Sequence, residues 1–126
     1  MRHDTTPNYQ GHHLLADFHG CNRGLDDLAL VELALRDAVH AAGASLIDLR
    51  LHHFGAGQGV TGVALLAESH ISIHTWPEHG YAALDFFLCG ARNDIEAALI
   101  TAAAHFAPQK ITRHMHERGF GASLPV

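Results

Sequence analysis

The sequence predicts an α+β fold, a two-layer α/β sandwich in which two helices cover one face of a mostly antiparallel sheet. Two observations predict it. Six short runs are apolar at alternate positions or throughout, as strands are, and only two stretches repeat apolar residues at helical spacing. Their order along the chain is β-α-β-β-β-β-α-β. A length of 126 residues suits one domain with a modest core, and no linker, internal repeat or low-complexity segment divides it.

Residues 1–10 are polar, contain Pro7, and read as a loose arm. From His13 to His19, Leu14, Ala16 and Phe18 alternate with polar neighbours and predict the first strand. Gly20 to Gly24 turns the chain. Asp26 and Asp27 stand where a helix start favours negative charge, and Leu28, Val31, Leu35, Ala38 and Ala42 follow at helical spacing. The helix is predicted over about Leu25–Ala42, with Gly43 as its C-cap.

Ile47, Leu49 and Leu51 alternate with Asp48, Arg50 and His52 in a second strand ending near Phe54. Gly55-Ala56-Gly57-Gln58-Gly59 reads as the most flexible loop of the chain. Val60–Ala67 is a continuously apolar strand, and Glu68–Trp76 follows it almost without a break. After a turn at Pro77 and Gly80, Tyr81–Cys89 is a strand with Leu84, Phe86 and Leu88 on one face and Asp85, Phe87 and Cys89 on the other. Asn93 and Glu96 resemble a capping box for a second helix carrying Ile95, Leu99, Ala102 and Phe106, which Pro108 ends. Ile111–Met115 is the last expected strand, and a glycine-rich tail from Gly119 is expected to be loose.

Composition narrows the function. A hydrophobic share of 48% with 17% charged residues is that of a soluble globular chain, and no apolar run is long enough to span a bilayer. The start lacks a signal-peptide hydrophobic region, and the two cysteines, Cys21 and Cys89, are too few for a disulfide framework, so a cytoplasmic location is expected. A net charge of −5 with scattered basic residues gives no footprint for nucleic acid.

The chemically dense stretch runs from Glu68 to Glu78. It holds a hydroxyl (Ser69), imidazoles (His70, His74) and carboxylates, with the Cys89 thiol one strand later. Those are the parts of a nucleophile with acid and base helpers. Ile71 and Ile73 alternate as in a strand, so His70, Ser72 and His74 share a face. Residues four apart on a strand lie roughly 13 Å from each other, so His70 and His74 cannot hold one metal ion. Thirteen histidines, including His12-His13, His52-His53 and His114 with His116, keep open a second class of reading, a non-enzymatic histidine-rich metal-binding protein. Cys21 reads as structural.

The run Ala67-Glu68-Ser69-His70-Ile71-Ser72-Ile73-His74-Thr75-Trp76-Pro77-Glu78-His79-Gly80-Tyr81-Ala82-Ala83 closely resembles the prokaryotic S-adenosylmethionine decarboxylases. The likeness extends to Cys89-Gly90, Gly59-Val60-Thr61-Gly62 and His13-Leu14-Leu15-Ala16-Asp17, and so covers most of the chain. The resemblance implies a pyruvoyl-dependent enzyme of polyamine synthesis that makes the aminopropyl donor for spermidine. Decarboxylation leaves a carbanion that needs an electron sink, which ordinary side chains supply poorly. In the family a serine makes that sink from itself. Carried onto this chain, Ser69 attacks the Glu68 carbonyl, and the resulting ester breaks to leave a pyruvoyl group, a β chain of residues 1–68 and an α chain of residues 69–126.

By the same resemblance, His74 is the processing histidine and Thr61 the hydroxyl that assists it. The substrate amine forms a Schiff base with the pyruvoyl group, and Cys89 returns a proton to the substrate. Phe54 and Trp76 are the implied adenine contacts, and Glu78 binds ribose hydroxyls. No metal is implied. The family also implies a homodimer of cleaved αβ protomers with active sites completed across the interface, which suits a sheet covered by helices on one face only. Many relatives have a shorter, proline-containing loop where this chain has Gly55–Gly59. Ornithine or arginine therefore stands as the alternative substrate to S-adenosylmethionine.

Overall fold

The computed structural model describes residues 9–121. Its elements are β1 (Tyr9–His19), α1 (Leu28–Ala42), β2 (Leu46–His53), β3 (Val60–Leu66), β4 (Ser69–Trp76), a single 3-10 turn (Pro77–His79), β5 (Tyr81–Cys89), α2 (Ile95–Phe106) and β6 (Lys110–Phe120). The six strands form one sheet in the order β2-β3-β4-β5-β1-β6, and every neighbouring pair is antiparallel. Both helices pack on the same face, giving the expected two-layer α+β sandwich.

Strand alternation builds the core. Leu14, Ala16 and Phe18 of β1, Ile71 and Ile73 of β4, and Leu84, Phe86 and Leu88 of β5 are all at most 3% exposed. They face Val31, Leu35 and Ala38 of α1 and Ala98, Leu99 and Phe106 of α2. Burial of a side chain of this size is worth about 1.5–3 kcal/mol, so this layer dominates the stability of the fold. The Asp27 carboxylate caps α1 by accepting from the Leu30 amide, and Gly43 in the left-handed conformation ends it. Arg23 donates to the Ala104 and His105 carbonyls at the end of α2, and His105 pairs with Asp37 of α1. The two helices are thereby tied to each other as well as to the sheet.

Several expectations are corrected. Tyr9 and Gln10 belong to β1, while the rest of the expected arm, residues 1–8, lies outside the described residues. The α1 helix begins at Leu28, three residues later than expected, because Asp27 is its N-cap. In β2 a bulge between Leu46 and Asp48 shifts the alternation, so Ile47 is 68% exposed and Leu46 turns toward the core instead. The N-cap of α2 is Asp94, whose carboxylate accepts from the Ala97 amide, and Glu96 is drawn away from any capping box by Arg113. β6 runs to Phe120 and pairs with β1 from Lys110 onward, so Gly119 and Phe120 are strand residues. Residues 122–126 of the expected tail lie outside the described residues.

Candidate active site

The most consequential correction concerns Glu68. β3 and β4 form a hairpin in which Leu66 pairs with Ser69, leaving only Ala67 and Glu68 to reverse the chain. Glu68 closes that turn with φ 70°, a left-handed conformation that a residue bearing a Cβ adopts at a cost of order 1–3 kcal/mol. The Glu68–Ser69 peptide thus leaves a tight, strained turn at the rim of the sheet. The Ser69 hydroxyl lies 3.4 Å from the Ala67 carbonyl oxygen, to which it donates. The Tyr9 hydroxyl donates to the Glu68 carbonyl oxygen at 3.3 Å. The Glu68 carboxylate accepts from Arg92 at 2.6 Å.

Cys89 ends β5 at this same rim, because β5 pairs with β4 in a register that sets Phe87 opposite His70. Cys89 is 7% exposed and lines two adjoining clefts. One is a cavity of about 220 Å³ toward Ser45, Ala67 and Asn93; the other, of about 500 Å³, opens toward Tyr9, Gln10 and Phe120. Burial alone would push the Cys89 thiol up. The Arg92 guanidinium and the Ala91 and Arg92 amides outweigh it, and the thiol is held below its ordinary value. Glu68, Ser69 and Cys89, all expected from sequence, are brought together here with two residues that sequence reasoning missed, Tyr9 and Arg92.

The remaining expected residues lie at the opposite end of the same strands. Thr61 is paired with His74 across β3 and β4, and its hydroxyl is 3.1 Å from His74 Nδ1. Phe54, 57% exposed, and Trp76, 41% exposed, flank this pair, and Glu78 is exposed in the following 3-10 turn. The Trp76 ring is 5.3 Å from Tyr81 and 6.4 Å from His74. Ser69 and His74 are five residues apart on β4, so roughly 16 Å separates them at about 3.3 Å per residue. Within one protomer, the expected nucleophile and its expected proton-transfer partner are not in contact.

The glycine loop beside Phe54 is clamped. Asp26 accepts from the Gly57 amide at 2.7 Å, the Gly59 amide at 3.0 Å and His53 Nε2 at 2.9 Å. His53 and the two amides hold its carboxyl below the usual carboxylate range. Gly59 has φ 91°, and a Cβ there would sit 2.3 Å from the Thr75 carbonyl oxygen, so no other residue fits.

Between the two ends, His13, His70 and Asp85 form the one group of three metal-ligating side chains among the described residues. It is already satisfied as a hydrogen-bonded network. His13 Nε2 pairs with Asp85, and the Arg118 guanidinium faces His13 Nδ1 at 3.3 Å.

A sequence model of the S-adenosylmethionine decarboxylase family matches residues 12–119. The chain is 45% identical over 109 residues to an S-adenosylmethionine decarboxylase proenzyme of Thermomicrobium roseum, covering 86% of this chain and 93% of that protein. It is 50% identical over 101 residues to the proenzyme of Methanococcus aeolicus, covering 79% and 86%. The crystal structure of the adenosylmethionine decarboxylase from Aquifex aeolicus superposes with a TM-score of 0.83 at 35% identity, covering 95% of this chain and 99% of that one. On these matches, the chain belongs to the S-adenosylmethionine decarboxylase family.

Proposed function

We propose that this chain is a proenzyme that cuts itself between Glu68 and Ser69 and, once cut, decarboxylates S-adenosylmethionine. The observation that carries the reading is the turn itself. A serine hydroxyl follows a peptide held in a left-handed bend, the carbonyl of that peptide accepts from a hydroxyl donor, and a thiol with a lowered pKa lies alongside. Hydroxyl attack on the preceding carbonyl exchanges the amide for an ester and lets Glu68 leave the left-handed conformation. Strain in the reactant that is absent from the product favours the reaction.

The residues present fit a pyruvoyl group derived from Ser69, because the residue before it, Glu68, lines both clefts together with Cys89. The pyruvoyl carbonyl supplies the electron sink that decarboxylation needs. Cys89, kept partly ionisable by Arg92, holds a proton that can be returned to the substrate carbon. Phe54 and Trp76 offer exposed aromatic faces to an adenine and a sulfonium, and Glu78 offers a carboxylate to ribose hydroxyls. The alternative substrates ornithine and arginine have no use for two exposed aromatic faces, and the named relatives do not favour them. Nor do those relatives favour the histidine-rich metal-binding reading.

Two copies complete the site in this reading. The face of the sheet without helices carries Leu15, 42% exposed, and Leu65, 44% exposed, together with His70 and His74 of β4. An antiparallel partner stacked on it brings the Thr61–His74 pair of one protomer toward the Ser69–Cys89 end of the other, which answers the separation within one chain.

Denaturing intact mass tests the proposal. The purified protein is expected as two chains split between Glu68 and Ser69, with the second chain taking up a carbonyl-reactive amine. Ser69→Ala is expected to leave one uncut, inactive chain. Two normal fragments from that variant would remove Ser69 from the chemistry.

A further inference from the structure

We propose that the Tyr9 hydroxyl is a catalytic hydrogen-bond donor in the cleavage of the Glu68–Ser69 peptide, holding the negative charge that develops on the Glu68 carbonyl oxygen. The inference rests on the proenzyme reading above and adds a residue to it. Tyr9 Oη donates to that oxygen at 3.3 Å, and the bond spans 59 residues of sequence. In the step it serves, Ser69 Oγ bonds to the Glu68 carbonyl carbon and the carbonyl oxygen takes the charge. The carbon–nitrogen bond then breaks, and the Ser69 nitrogen receives its electron pair and the proton given up by Oγ. Ester and amide are isomers, so nothing is consumed. Tyr9 transfers no proton; it only donates a hydrogen bond, more strongly as the oxygen becomes an anion.

The tyrosine is placed by the sheet. β5 separates β1 from β4, so the Tyr9 ring must cross the end of β5, past Cys89, to reach the turn. Gly11 gives it room: a Cβ there would be 2.9 Å from Tyr9 Cε2 and 3.0 Å from its hydroxyl. The ring meets the edge of Phe87 at 6.3 Å and stacks on Phe120 at 6.4 Å, its cross-strand partner on β6. Burial, followed by the nearby Cys89 and Glu68, pushes the phenol above its ordinary value, so it keeps its hydrogen at neutral pH. Ser69 and Cys89 carry the chemistry in the family resemblance; Tyr9 enters only through this geometry.

The test follows cleavage of freshly synthesised precursor by denaturing mass, with and without hydroxylamine, which cuts esters and spares amides. Tyr9→Phe keeps the ring and removes the donor. Its cleavage is expected to slow by about tenfold to a hundredfold, less than the ~10²–10³ of a fully enclosed oxyanion donor because Tyr9 is only half-buried. Hydroxylamine is expected not to restore the rate, since the lost step precedes the ester. A ring-difluorinated tyrosine at position 9, which preserves the ring contacts and ionises at lower pH, is expected to lose cleavage at mildly alkaline pH where the native protein still cuts. Cleavage of Tyr9→Phe at the native rate, its rescue by hydroxylamine, or an unchanged pH profile in the fluorinated protein would each overturn the role. A native protein that never cuts would overturn the proenzyme reading instead, and this role with it.

Discussion

Cys89 is a thiol under opposed influences: burial raises its pKa, while the Arg92 guanidinium and the Ala91 and Arg92 amides on the loop after β5 lower it. Arg92→Gln removes the charge and leaves the desolvation. The pH at which iodoacetamide half-modifies Cys89 is then expected to rise, with alkylation at neutral pH falling about tenfold for each unit of rise. An unchanged profile would mean that the Ala91 and Arg92 amides alone hold the thiol down. Cys21 is the internal comparison: burial pushes it up to about 11 with no cation to oppose it, and it should stay slow to react in both proteins. At this scale the sequence was informative about what the motif contains and silent about what touches it. Ser69, His74 and Cys89 could be named from their neighbours in sequence. Tyr9 and Arg92 could not, because each reaches its partner through strand register or through space, which no local pattern records.

Among the elements, the glycine loop between β2 and β3 shows how a local reading is reversed by one distant side chain. Three glycines predict mobility, yet the Asp26 carboxylate just ahead of α1 gathers two of their amides and His53. Because this carboxyl lies below its ordinary value in the folded protein, its contribution is fully present above its unfolded value of about 3.9 and fades as pH falls through the folded one. Asp26→Asn is expected to abolish that acid dependence and to speed hydrogen exchange at Gly57 and Gly59 at neutral pH. Equal exchange in both proteins would show that the loop is held by its own turns. Strands and helices with one buried face were legible, since Leu14, Phe18, Ile71, Ile73 and Phe86 write their period into the sequence. The outer part of β6 was not, because an edge strand exposed on both faces leaves no apolar period and is fixed by its ladder to β1. The β3–β4 turn was hidden for a related reason: Glu68 takes a left-handed conformation with none of the Gly, Asn or Asp that usually announces one.

On the scale of the whole molecule, the Thr61–His74 pair and the Ser69–Cys89 end lie at opposite ends of the same strands, and the proposed pairing of two copies makes a genetic prediction. In the proposed dimer, co-expressed Ser69→Ala and His74→Ala chains would give mixed pairs in which one composite site has both native residues. Cleavage is expected to reappear, and only in the His74→Ala chain, since that chain supplies Ser69 while its partner supplies His74. Failure to cut in mixed dimers, with dimer formation verified by mass, would return His74 to the service of its own protomer.

The strand order has a further consequence. A cut after Glu68 divides the sheet between two polypeptides that are woven through one another: β2, β3 and β1 fall to one, β4, β5 and β6 to the other, and β1 lies between β5 and β6. The pieces cannot part without opening three ladders, so the nicked protein holds together as one body. Unfolded, however, it becomes two diffusing chains, and its recovery depends on concentration where that of the uncut chain within one protomer does not. Self-cleavage at that bond would thus make protomer assembly a recorded event: a protein cut there can lose its shape once, and at low concentration has no direct way back.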